Sequence, residues 1–339
     1  MIIWRCDMKK ATKIAIAIAL LLSLFFITGC EKSNQRIVSL SPSQTEIVYE
    51  LGLEDYLVGW SKYDCYPPEV QERKGWLPYD EYKFISNEDE LSKDVAVVSY
   101  FTRVNYELIH EINPTLILAI DPIQKEIADS LKSLGFNVLY FHPKTVEEVW
   151  AMMHEIGDET GVGAKARRLT AKAQKEMNEL KAATKNLPKV KVYFEINHYG
   201  PYALGSGSPM DQLLEIAGGE NIFSDVEGLA FKVDHKDIIE RNPDIILTPL
   251  WPHAGRYEVT TVREIVTRDG YENIAAVRND RVYHYDSSLL KCPSLRQVTA
   301  AKKLAYLFHP YHFKNPENSV SPWELGKIDA TYPPDKPLK

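Results

Sequence analysis

Between Gly163 and Asn186, small or apolar residues return every three or four positions: Ala166, Leu169, Ala173, Met177, Leu180 and Thr184. The positions between them are rich in Lys, Arg, Glu and Gln. This rhythm predicts one helix with a single buried stripe. Gly161 and Gly163 punctuate its start and Pro188 stops it. At about 1.5 Å per residue the stretch spans roughly 36 Å, the diameter of a small domain. On both sides the rhythm changes to short apolar runs between Gly/Pro turns. Before the long helix these are Arg36–Leu40, Leu57–Trp60, Val95–Ser99, Leu116–Ala119 and Asn137–Phe141. After it come Val190–Ile196, Ile245–Leu247 and Arg281–Tyr285. Amphipathic stretches alternate with them, at Pro42–Leu51, Val146–Ile156, Met210–Ala217 and Val298–Phe308. Strands alternating with helices read as parallel α/β layers.

The pattern predicts an α/β protein of two lobes, residues 36–145 and 188–313. Linking helices over 146–187 include the stiff rod 163–186, and a cleft lies between the lobes. One large α/β domain with 163–186 as a surface helix is the plainer alternative. An internal repeat favours two lobes. Ile109, Glu111, Asn113, Pro114, Ile117 and Leu118 return 129 residues later as Ile238, Glu240, Asn242, Pro243, Ile246 and Leu247. Ser41-Pro42-Ser43-Gln44 follows the first strand with Ser at N-cap, Pro at N1 and Gln at N3, a capping-box signature. Ser208-Pro209 repeats the entry. A strand that feeds a helix start sets that start at the carboxyl edge of the sheet, where open α/β sheets hold ligands.

The first thirty residues follow neither rhythm. Lys9, Lys10 and Lys13 precede an apolar run from Ile14 to Thr28, and Gly29-Cys30 follows. Such a run suits a signal-peptide core and falls short of the roughly 20 residues a membrane span needs. Ile27-Thr28-Gly29-Cys30 resembles a bacterial lipobox. That implies removal of 1–29, lipidation of Cys30, a polar tether over 30–35 and a body held on the outer face of the cytoplasmic membrane. Several acyl chains hold firmly where one is marginal. An uncleaved anchor helix is the alternative, and Met1 and Met8 both remain as starts.

The 339 residues, 45% hydrophobic and 26% charged, fit a globular body with room for two domains. Losing 1–29 takes the net charge from −7 to about −10. An acidic surface argues against nucleic acid and for a basic protein partner. Cys65 and Cys292 are two thiols with pairing left open. Residues 314–339 hold five Pro and little periodicity, which predicts a loose tail.

Several stretches, in order, resemble the ABC-importer substrate-binding proteins whose lobes are joined by a single helix and which carry cobalamin, iron-siderophores or haem. They are Arg36 to Gly52, Gly59 to Glu69, Glu107 to Pro114, Leu213 to Phe223 and Leu304 to Pro310. The resemblance spans about residues 36–313. It implies two Rossmann-like lobes on one rigid helix, a monomer without a catalytic cofactor, and a membrane permease with its cytoplasmic ATPase as partner. The Tyr63–Pro68 loop is similar to the cobalamin-binding branch, which implies a corrinoid ligand; a ferric siderophore or haem is the alternative. Family members present one exposed Glu from each lobe to the permease. Glu107 matches the first position. Lys236 departs from the second, where Asp237 or Asp234 would substitute.

If both lobes turn their strand ends to the cleft, Ser43, Tyr63, Tyr66, Tyr100 and Asp121 line it from the first lobe. His198, Tyr199, Tyr202, Trp251, His253 and Ser288 line it from the second. Aromatic faces with a few polar tips suit a large, flat, partly apolar chelate with amide edges. Each aromatic alone would read as packing. His142, His198, His253 and His284 fall at strand ends, which keeps a bare Zn²⁺ or Mn²⁺ site as a lesser alternative, without His-x-x-x-His spacing to support it. No nucleophile elbow, zincin motif or dinucleotide fingerprint occurs, and Gly205-Ser-Gly-Ser208 reads as a turn and cap. An exported metal-dependent enzyme and a structural lipoprotein are the readings from other classes. The first predicts turnover and the second no cleft ligand.

Overall fold

Runs of Ile, Val and Leu form strands covered on both faces, as parallel sheets require. The computed structural model describes residues 34–73, 94–196, 201–250 and 260–314. The first sheet holds β1 (Ile37–Ser39), β2 (Leu57–Ser61), β3 (Ala96–Ser99), β4 (Leu116–Ile120) and β5 (Val138–Phe141). All are parallel, in the order β3-β2-β1-β4-β5. The direction of strand addition reverses between β1 and β4, which makes their carboxyl ends a topological switch point. Helices α1 (Pro42–Glu50), α2 (Pro68–Arg73), α3 (Tyr106–Ile112) and α4 (Lys125–Ser133) connect these strands.

Two longer helices follow, α5 (Val146–Glu159) and α6 (Gly163–Thr184). The 22 residues of α6 span about 33 Å. Its buried face is Ala166, Thr170, Ala173, Met177, Leu180 and Thr184; Leu169 packs only at the edge of the core. The small residues let α5 come close. A Cβ placed on Gly157 would stand 2.7 Å from that of Ala166, so glycine is required there.

The second sheet holds β6 (Val190–Phe194), β8 (Gly219–Asn221), β10 (Ile245–Leu250) and β11 (Val282–Asp286), parallel in the order β11-β10-β6-β8. Short antiparallel β7 (Tyr202–Ala203) and β9 (Phe231–Lys232) stand beside it. Its helices are α7 (Pro209–Ile216), α8 (His235–Arg241), α9 (Val262–Val266), α10 (Ala275–Arg278), α11 (Ser287–Leu290) and α12 (Gln297–Phe308). The fold is therefore α/β, with two parallel-sheet lobes and α6 between them in the chain. From Arg36 onward the chain clusters as one compact unit. Its largest apolar core runs without a break from Ile37 and Trp60 through Met153 and Met177 to Leu214 and Leu304. Each sheet also covers a smaller cluster on its far face, around Val38 and Ile117 in one lobe and Tyr193 and Ile246 in the other.

The repeat is a matter of backbone as well as letters. α3 and α8 are both seven residues long and end in left-handed Asn113 (φ 45°, ψ 67°) and Asn242 (φ 47°, ψ 71°). Asparagine tolerates this region better than other non-glycine residues, and the Pro that follows ends the helix.

The capping box at Ser41 does not form. Ser41 is the N-cap but makes no side-chain cap bond. Its hydroxyl lies 3.2 Å from that of Ser43, and Gln44 is drawn into the core, its Nε2 3.4 Å from the Met152 sulfur. Ser208 does cap, accepting from Asp211 N at 3.2 Å. Strand β8 lacks an apolar run and so leaves no mark in the hydrophobic pattern; it forms by pairing with β6. Among the described residues no helix is long and apolar enough to cross a membrane. The expected signal segment, Cys30 and the tail beyond Lys314 lie outside the described residues.

Candidate functional site

In lobe one, β1, β2 and β3 end in the buried serines Ser39, Ser61 and Ser99, and buried polar side chains tie the carboxyl edge of the sheet together. Ser99 donates to Leu40 O at 2.7 Å, and Gln124 Nε2 donates to the same carbonyl at 2.8 Å. Thr45 donates to Asp64 Oδ2 at 2.5 Å, and Ser61 N donates to that oxygen at 3.1 Å. These bonds fix the backbone from which the tyrosines project. Tyr63 is 51% exposed. The Tyr100 ring has the Arg103 guanidinium 4.8 Å and the Lys62 ammonium 5.5 Å from its centroid, both within cation–π range. Asp121, at φ 76°, caps the next turn by accepting from Ile123 N at 3.1 Å, and burial raises its pKa. Ser43 is buried beside Ser41.

In lobe two the strand ends are held by charge. Glu195, wholly buried, accepts from both arms of Arg268 at 2.6 and 2.9 Å and from Tyr193 OH at 3.2 Å. Lys291 Nζ donates to Ile196 O, and burial pushes its pKa down to about 8. Asp286, ending β11, accepts from Ser288 N and Oγ at 2.8 and 2.7 Å, so Ser288 is buried with its hydroxyl engaged. Tyr202 is half-buried in β7. His198, Tyr199, Trp251 and His253 lie outside the described residues. His142 is exposed and His284 buried, and among the described residues no three of His, Cys, Asp and Glu gather as metal ligands.

The two lobes meet in a buried polar cluster that sequence reasoning missed. Glu46, on α1, accepts from Arg296 Nη1 at 2.7 Å and from Ser294 Oγ at 2.7 Å. Glu50, one turn on, accepts from Leu295 N at 3.1 Å. The Arg296 guanidinium lies 3.6 Å from the centroid of the Tyr66 ring and 3.9 Å from Asp286. Burial raises Glu46 to about 7 against the attraction of Arg296. Burial, then repulsion by Glu46, raises Glu50 to about 8. Two carboxyls at i, i+4 among Ile47, Val48 and Leu51 were the one local signal of this cluster. Cys65 and Cys292 are both buried and free.

Glu107 and Asp237 are exposed in the first turns of α3 and α8. Lys236 forms a surface pair with Glu240 at 3.5 Å. A surface hollow of about 420 Å³ joins Tyr100 and Arg103, just past the end of β3, to Tyr106 and Glu107 of α3.

Residues 37–289 match the family described as periplasmic binding protein. The chain belongs to that family. It is 28% identical over 292 residues to an uncharacterised ABC transporter substrate-binding lipoprotein of Bacillus subtilis, covering 84% of this chain and 83% of the relative. It is 24% identical over 292 residues to the vitamin B12-binding protein of Vibrio parahaemolyticus, covering 84% and 93%. Its fold is similar to that of the periplasmic haem-binding protein RhuT of Roseiflexus, with a TM-score of 0.67 at 21% identity over 83% of this chain and all of the other. Members of the periplasmic binding protein family are substrate-binding transport proteins rather than enzymes. Membership implies a small-molecule ligand, a permease and an ATPase.

Proposed function

We propose that this periplasmic binding protein is held on the outer face of the cytoplasmic membrane by a lipid on Cys30, and that it delivers cobalamin or a related corrinoid to an ABC importer. The tyrosines at the carboxyl edge of lobe one carry the reading. Tyr63, Tyr66 and Tyr100 stand on backbone fixed by buried hydrogen bonds. Rings presented this way suit a broad, partly apolar chelate. Similarity to a vitamin B12-binding protein over most of both chains supports it. Ser43 and Asp121 complete the first wall. Tyr202, Ser288, His198, Tyr199, Trp251 and His253 are assigned to the second. Glu107 docks on the permease, with Asp237 as its counterpart where Lys236 stands in place of a carboxylate. Haem is the second reading, favoured by Lys62 and Arg103 around Tyr100, because two cations at a rim suit its carboxylates.

The test is a titration of the protein from residue 31 onward with cyanocobalamin and, separately, with haemin, following heat and ligand absorbance. Saturable one-to-one corrinoid binding below 1 μM, about −8 kcal/mol or better, is expected. Saturation by haemin alone moves the assignment to haem. Saturation by neither sends the search to ferric siderophores.

A further inference from the structure

The cluster between the lobes lies outside the tyrosine edge and yet touches it. Arg296 comes from the turn before α12, and Glu46 and Tyr66 come from lobe one, some 230 to 250 residues earlier in the chain. The guanidinium faces the Tyr66 ring at 3.6 Å, while its Nη1 is held by Glu46 at 2.7 Å and Asp286 stands 3.9 Å from Nη2. Glu46 is itself tied by Ser294, the residue two before Arg296. Arg296 is 15% exposed at its side chain and Glu46 only 1%. A planar, forked cation can hold a carboxylate along its edge and stack its flat face on a ring, whereas a compact ammonium has no face to stack. A ring covered by a fixed guanidinium loses its freedom to turn.

We propose that Arg296 is a positioning residue for the ligand cleft: reaching across from lobe two, it sets the Tyr66 ring of lobe one in its ligand-facing position, with Glu46 and Asp286 aiming the guanidinium. The proposal rests on the cleft between the lobes being the ligand site. It predicts that closure of the lobes and presentation of Tyr66 are one event, because the same side chain belongs to both.

Two readouts test it, and only one needs ligand. Fluorotyrosine placed at position 66 should give a single sharp ¹⁹F resonance in the otherwise unchanged protein. In Arg296→Lys, which keeps the charge and loses the fork, the resonance should move and broaden. An unaltered resonance in Arg296→Lys overturns the proposal, whatever the ligand proves to be. The second readout is a cycle of Tyr66→Ala and Arg296→Lys on affinity for cyanocobalamin or haemin, whichever binds. Each single change should weaken binding about tenfold, and the double change no more than the larger single one. Losses that multiply overturn it. If Arg296→Lys fails to fold, Glu46→Gln, which keeps the size and one acceptor, should broaden the same resonance; a sharp one there also overturns it. If neither chelate binds the unaltered protein, the corrinoid and haem readings fall and the ¹⁹F result still decides on Arg296.

Discussion

The two lobes carry the same helix–turn–strand unit and secure it by different chemistry. In both, a seven-residue helix ends in a left-handed Asn followed by Pro and a central strand. Lobe one then knits its strand ends with the neutral side chains of Ser99, Thr45 and Gln124 around the buried Asp64 carboxylate. Lobe two commits a buried carboxylate and a guanidinium, Glu195 and Arg268, to the same place. The surface differs as well, with Glu107 in one lobe and Lys236 at the equivalent position of the other. Backbone geometry restricts which residues serve at the turn, whereas exposed positions answer only to what they meet.

The largest expected effect breaks lobe two alone. Arg268→Met leaves Glu195 buried without its cation and should cost about 3–5 kcal/mol in urea unfolding. Ser99→Ala in lobe one removes a neutral bond and should cost about 1 kcal/mol. Equal losses would mean that the chemical difference between the lobes has no energetic weight.

Next comes the boundary that the lobes share. Glu46 and Glu50 hold protons up to about 7 and 8 because they are buried, whereas in the unfolded chain both titrate near 4.5. The folded state therefore binds more protons between these values. Its stability from this source is full below about pH 4.5 and is lost as pH rises through 7 and 8. Shifts of this size correspond to roughly 3–5 kcal/mol each. Arg296 faces both carboxyls and Asp286 faces Glu46, so the cluster responds as a whole. Urea midpoints for the unaltered protein should fall between pH 5.5 and 8.5, and Glu46→Gln with Glu50→Gln should flatten that slope. A slope unchanged by the double substitution would assign it elsewhere.

A smaller effect sharpens the comparison at the turns. Asn113→Ala should cost about 1 kcal/mol for the left-handed backbone. Asn242→Ala should cost about 1 kcal/mol more, because Asn242 Oδ1 also accepts from Ala275 N at 2.8 Å. Thermal unfolding of the two variants side by side checks this. The smallest effect on the fold is at the exposed residues. Glu107→Lys and Lys236→Glu should both leave the unfolding midpoint in place. Only the first should weaken association with membranes carrying the importer, about tenfold, and high salt should erase the difference.

Much of this architecture was legible in the chain, for reasons that are local. Ile and Val runs announce buried strands, and the stripe from Ala166 to Thr184 announces a helix packed on one side. Asn-Pro twice at one offset announces a repeated turn. What could not be read depends on partners far away. Gly219–Asn221 becomes a strand only because β6 lies beside it. The Ser41 signature fails because Ser43 and Met152 compete for its members. At the site, tyrosines after strands were readable as a class. The Glu46–Arg296 pair spans 250 positions, and no periodicity reports a contact of that range.

The two thiols described between the lobes have a consequence for how the protein is made. Burial pushes Cys65 up to about 12 and Cys292 well above its ordinary value. Reaction with oxidants and disulfides proceeds through thiolate, which these side chains scarcely form. Once folded, the protein therefore resists oxidants and thiol exchange at both positions, and the form open to such chemistry is the unfolded chain, whose exposed thiols are no longer held up by burial.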